Sequence, residues 1–137
     1  MINPDITEIV KQDYQHFPEN QTFDIYAKNV YFKDPLNEFR GIERYQKMIG
    51  FLGTFFQDVD LELHNITRNE NIIKTEWTLK MTPPLPWKPR LAIPGWSELK
   101  LNPEGLIISH IDYWHISPWD VFKQNFISVK KVHNHNK

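Results

Sequence analysis

Apolar and polar positions along the chain shift near residue 57 from a mostly helical to a mostly stranded period, with one short strand before that point and one short helix at the end. Ile6, Ile9, Val10, Tyr14 and Phe17 recur at helical spacing behind Asn3, a capping residue, and Pro4, which suits a first turn. Pro18 then opens a short second helix reaching about Tyr26 and Ala27. Val30-Tyr31-Phe32-Lys33-Asp34 has the β-branched and aromatic character of a strand, which Pro35 stops. After a loop ending near Gly41, the positions Ile42, Tyr45, Met48, Ile49, Leu52 and Phe55 or Phe56 mark a third helix, with Gly50 and Gly53 as close-packing points.

From there the period is two. Val59, Leu61 and Leu63 alternate with Asp60, Glu62 and His64, and beyond the Arg68-Asn69-Glu70-Asn71 turn Ile73, Trp77, Leu79 and Met81 alternate with Lys74, Glu76, Thr78 and Lys80. This predicts a hairpin with one wet face. Five of the 10 prolines lie between Pro83 and Pro94, a density expected at an edge or rim, with Trp87 exposed among them as a partner surface. Strand character resumes from Trp96 to Leu101, turns at Asn102-Pro103-Glu104-Gly105 and continues from Leu106 to Ile116 with apolar residues on both faces, as in a central strand. Ser117 and Asp120 then predict the start of a short helix that docks through Trp119, Phe122 and Phe126. Helices first and antiparallel strands afterwards is the pattern of an α+β domain with helices on one face of the sheet. A single domain over 1–127 with a flexible tail over 128–137 is expected.

Composition narrows the function classes. With 40% hydrophobic and 14% aromatic residues the chain can bury a sizeable core. A net charge of -1 with scattered Lys and Arg argues against nucleic acid as a partner. Cysteine is absent, which removes disulfides, thiolate metal sites and a cysteine nucleophile. No run approaches the roughly 18 apolar residues of a membrane span, and Asp5 and Glu8 stand where a signal peptide wants positive charge. A cytoplasmic protein with no membrane partner is the expectation.

Glycine-rich dinucleotide loops, P-loops, His-Glu-x-x-His and nucleophile elbows are all missing, so chemistry must come from residues the fold gathers. Asp34 ends an aromatic strand: buried, it would be a general base, and otherwise it organises the Asp-Pro turn. His110, Asp112 and Trp114 are two apart and share a strand face, so the carboxylate can fix the imidazole's tautomer beside an indole wall. The alternative is a solvated pair, and periodicity does not choose the inward face. A metal would want a third ligand, and none stands at fixed spacing, so neither metal nor cofactor is expected. Tyr14, Tyr26, Trp77 and Trp96 are candidate pocket walls or plain core.

The motif Tyr26-Ala27-x-x-Val30-x-Phe32-x-Asp34-Pro35, followed by Gly41-Ile42-Glu43 and later by Gly105-Leu106-Ile107 leading to Tyr113-Trp114, resembles the superfamily of ketosteroid isomerase, nuclear transport factor two and polyketide-cyclase-like proteins. The likeness spans about Ile6 to Ile116. It implies a cone in which N-terminal helices pack on a strongly curved, mostly antiparallel sheet around a cavity. Pro84-Leu85-Pro86-Trp87-Lys88-Pro89-Arg90, Gly95-Trp96-Ser97-Glu98 and His110-Ile111-Asp112-Tyr113-Trp114 further resemble an uncharacterised branch from cyanobacteria and plants.

By this resemblance Asp34 stands where the isomerase keeps its proton-shuttling base, Tyr26 belongs to the pocket network, Trp114 lines the cavity, and His110 and Asp112 face inward. The isomerase's protonated acid falls near Ser97 or Trp96, a departure that argues against a steroid isomerase. The superfamily houses isomerases, dehydratases, epoxide hydrolases and non-catalytic members. The reading that follows is a small-molecule-binding domain for an apolar ligand, walled by Tyr14, Tyr26, Trp77, Trp96 and Trp114 and tipped by Asp34, His110 and Asp112. The alternatives are an isomerase or dehydratase using Asp34 and His110, and a non-catalytic interaction module. The resemblance also implies a homodimer through the sheet.

Overall fold

Local hydrogen bonding decides how the first third of the chain folds. The computed structural model describes residues 5–135, with side chains through Phe126. Helix α1 (Ile6–Gln15) carries Asp5 at its N-terminal cap, and the expected cap residues Asn3 and Pro4 lie outside the described residues. The second helix expected from Pro18 does not form. Asp13 on α1 accepts the Thr22 amide at 3.0 Å and the Thr22 hydroxyl at 2.9 Å, and its own carbonyl accepts the Gln21 amide. These bonds hold the segment in turns and leave one 3-10 turn, Phe23–Ile25. Tyr26 and Ala27 open strand β1 (Tyr26–Lys33), which pairs with the short β2 (Glu38–Arg40).

Helix α2 (Ile42–Phe55) follows the predicted spacing and buries Tyr45 and Ile49. Strands β3 (Gln57–Asn69) and β4 (Ile72–Thr82) form the expected hairpin. Strand β5 begins earlier than the sequence suggests, at Leu91, and runs to Leu101, so Pro94 sits inside a strand flanked on both sides rather than at an edge. The ladder tolerates it because Pro94 stands opposite Thr78 and only its carbonyl is used toward the last strand, accepting the His115 amide at 2.8 Å just where that strand ends. The missing N–H falls where pairing stops.

Asn102 to Gly105 make the predicted turn, with Gly105 at φ +83°, and β6 (Ile107–Trp114) follows. Ser117 Oγ accepts the Asp120 amide and starts α3 (Pro118–His135), longer than the short helix expected. The tail expected over 128–137 falls outside the described side chains.

The six strands are ordered β2-β1-β6-β5-β4-β3, parallel only between β1 and β6. The helices pack on an open, mostly antiparallel sheet, an α+β cone. Among the described residues no helix is long and apolar enough to cross a membrane.

Candidate functional site

The inner face of the sheet is built in rows, because side chains alternate along each strand and registered residues stand side by side across strands. One row is Ile73, Leu99, His110 and Phe32. The next is Thr75, Ser97 and Asp112. The third is Trp77, Gly95 and Trp114. Lys33, the last residue of β1, pairs with Ile111, and Asp34 just beyond the strand end lines the same cavity close enough to feel the charge of Asp112. A polar row thus runs between an apolar and an aromatic one. Facing it across the interior are α1 and α2, and the space between is a cavity of about 480 Å³.

A register irregularity in β6 turns the chemistry inward. Leu101 pairs with Ile107 but Lys100 pairs with Ser109, so an extra residue in β6 shifts the alternation, and both Ile107 and His110 face the core. This is why apolar residues on both sides of the sequence pattern could not choose a face.

The polar groups form one network. The Trp77 indole N–H donates to Ser97 Oγ at 2.8 Å, and the Ser97 hydroxyl donates to Asp112 Oδ1 at 2.6 Å. The same oxygen lies 2.8 Å from His110 Nε2. With Asp112 ionised, His110 donates through Nε2, and Nδ1 is the acceptor facing the Tyr26 hydroxyl at 3.4 Å. Tyr26 in turn stands 3.4 Å from the Tyr45 hydroxyl. The imidazole sits among the rings of Tyr26, Phe32 and Tyr45. The Tyr14 hydroxyl pairs with Thr75 at 2.9 Å. Burial pushes the phenols of Tyr14, Tyr26 and Tyr45 above their ordinary value, so all three stay protonated donors at neutral pH.

Asp34 organises the turn and also reaches the cavity. Its Oδ1 accepts the amides of Leu36 at 2.8 Å and Asn37 at 2.6 Å. Burial raises its pKa, the bonds from Leu36 and Asn37 oppose the rise, and the charge of Asp112 adds to it.

A carboxyl whose folded pKa lies above its unfolded value binds more protons when folded, so its contribution makes stability fall as pH rises between the two. Replacing it by Asn removes that slope. Relative to wild type, Asp34→Asn should gain stability as pH rises above about 4, the gain levelling off once pH passes the raised folded pKa. Denaturation midpoints of the two proteins across that range check this, and parallel curves would contradict it.

Of the expected wall residues, Tyr14, Tyr26, Trp77 and Trp114 line the cavity with Asp34, His110 and Asp112. Trp96 does not. It shares the outer face with its cross-strand partner Tyr113, stacked at 4.3 Å, with the Lys74 ammonium 5.6 Å from its ring, because its neighbour Ser97 takes the inward position. The sequence reading missed Ser97, Thr75 and Tyr45 as members of the polar network. A lone hydroxyl in each otherwise apolar inward series of β4 and β5 was the available signal. Trp87 is exposed, and its indole N–H donates to the Asn125 carbonyl. Leu36, Phe51 and Phe122 both line the cavity and are exposed, at 66%, 55% and 50%, so with Asn37 beside them the exposed part of the wall is mostly apolar. Among the described residues no group of three His, Asp or Glu side chains is placed to hold a metal ion.

The architecture is that of nuclear-transport-factor-two-like and ketosteroid-isomerase-like proteins. A hypothetical protein of ketosteroid-isomerase-like fold from Catenulispora acidiphila, solved in complex with trimethylamine, superposes with a TM-score of 0.71 at 17% identity, covering 90% of this chain and 93% of that one. An LEH-like epoxide hydrolase from M. tuberculosis gives 0.71 at 14% identity, covering 93% and 94%. An epoxide hydrolase/cyclase-like enzyme of pyran ring formation in the polyether salinomycin gives 0.67 at 20% identity, covering 80% and 89%. No curated protein matches the chain. The family model that does match covers residues 4–110, from α1 through the cavity-facing His110, and the chain belongs to that family, described as Uncharacterized conserved protein (DUF2358).

Proposed function

We propose that this chain is a small-molecule-binding cone domain whose cavity takes a largely apolar molecule and meets it at one hydrogen-bonded polar cluster, with Asp34, His110 and Asp112 as its fixed points. The observation that carries this reading is a cavity of about 480 Å³ lined mostly by apolar side chains, with the polar groups of Ser97, His110 and Asp112 linked by hydrogen bonds on its sheet wall. Ligand sites have that size and that ratio of wall to anchor. The hydrogen-bonded cluster holds its acceptors in place before a ligand arrives, which limits the ordering cost of binding. A ligand present at about 100 times its Kd should stabilise the fold by about 2.7 kcal/mol. A thermal-shift panel of lipids, isoprenoids and polycyclic hydrocarbons should therefore contain compounds that raise Tm, and a panel that leaves Tm unmoved throughout would sink the reading.

Acid–base turnover in the same cavity is the second reading, and the raised pKa of Asp34 beside Asp112 favours it. Neighbours of this fold are described as epoxide hydrolases and as a cyclase-like enzyme. Asp34 would take a proton from the carbon next to a carbonyl, or His110, held by Asp112 through Nε2, would take one at Nδ1 from a hydroxyl. Where Asp34 is the base, Asp34→Asn should abolish turnover of a substrate that still raises Tm, and unchanged turnover would remove Asp34 from the chemistry.

A further inference from the structure

The charge of the cavity wall narrows the ligand further. Three carboxylates line it, Asp13, Asp34 and Asp112, and among the described residues no Lys or Arg does. Asp13 has both oxygens engaged by Thr22, and Asp34 has both engaged by the neutral side-chain amide of Asn37, at 3.1 and 3.2 Å, so Asp112 Oδ2 is the carboxylate oxygen left open beside the charge of Asp34. Asp34 and Asp112 line the same cavity, with Asp34 one residue past the Lys33–Ile111 pair, and both bonds that Asp112 receives, from Ser97 and His110, reach the same oxygen, Oδ1. Two adjacent carboxylates in a mostly apolar cleft repel each other, and the protein supplies no cation between them. Carboxylate or phosphate ligands would add to that repulsion. A cation would relieve it, and the ring faces of Tyr26, Trp77 and Trp114 in the same cavity attract cations.

Resting on the reading of the cavity as a binding site, we propose that its ligand is an organic cation, a protonated or quaternary amine on a hydrocarbon body, with the nitrogen seated at Asp34 and Asp112. The mostly apolar wall takes the hydrocarbon. The carboxylate pair takes the charge, as a charge-assisted contact in a poorly hydrated site.

The test uses the full chain and three compounds with one carbon skeleton: dehydroabietylamine, the corresponding alcohol and the corresponding acid, titrated by calorimetry at neutral pH. The amine should bind about ten-fold or more tightly than the alcohol, and the acid most weakly. Asp34→Asn and Asp112→Asn should each shrink the preference for amine over alcohol. Equal binding of amine and alcohol, or tighter binding of the acid, overturns the cation assignment and leaves the binding cavity standing. If none of the three binds and no hydrocarbon raises Tm, the cavity reading falls and the cation assignment falls with it. The ranking on the unaltered protein decides the question even where a variant does not fold.

Discussion

Gly95→Ala is expected to be among the most damaging single-methyl additions in this chain, lowering stability by about 3 kcal/mol. A Cβ at Gly95 would stand 2.5 Å from the Tyr113 carbonyl oxygen and 2.6 Å from the Trp77 ring. The first obstacle is the backbone of β6, which cannot move without disturbing the rung that pairs Ser97 with Asp112. The second is a buried indole pinned by its own hydrogen bond to Ser97. The glycine is thus the space that lets Trp77 lie across β5 beside Trp114. Chemical denaturation should show a lower midpoint with an unchanged slope. Gly50→Ala is the control, since Gly50 is helical and exposed with nothing within 4 Å of an added Cβ, and it should stabilise by roughly 0.5–1 kcal/mol. A Gly95→Ala protein as stable as wild type would mean that Trp77 is not held as described.

Much of this was legible in the sequence where a single period governs a segment. The spacing from Ile42 to Phe55 gave α2, and the alternation around the Arg68 to Asn71 turn gave the β3–β4 hairpin. Period fails where side chains bond locally. Pro18 suits the first turn of a helix running to about Tyr26, yet Asp13 captures Thr22 and the chain turns instead. It fails again at Trp96, whose size suggested a wall, whereas the strand's alternation gives the inward place to a small serine. Size is no guide when both faces hold aromatics. The polar row was invisible because Thr75, Ser97 and Asp112 come from three separate strands and Asp34 from the turn after a fourth, and only the folded sheet brings them to one cavity.

Removing the Asp112 carboxylate from that row should separate its charge from its geometry. In Asp112→Ala the His110 N–H and the Ser97 hydroxyl lose their common acceptor inside the cavity, and the expected cost is about 2–3 kcal/mol. Asp112→Asn keeps a carbonyl oxygen where Oδ1 now accepts both donors, so its cost should stay under about 1 kcal/mol. The imidazole reports the same difference. Ring nitrogen chemical shifts should show His110 protonated at Nε2 in wild type and in Asp112→Asn, and a mixture of tautomers in Asp112→Ala, where only the Tyr26 hydroxyl still faces the ring. Equal losses in the two variants would mean that the negative charge holds His110, and the shared oxygen would then be incidental. A larger loss in Ala with the tautomer intact in Asn makes Asp112 the residue through which strands β5 and β6 orient the imidazole toward the cavity.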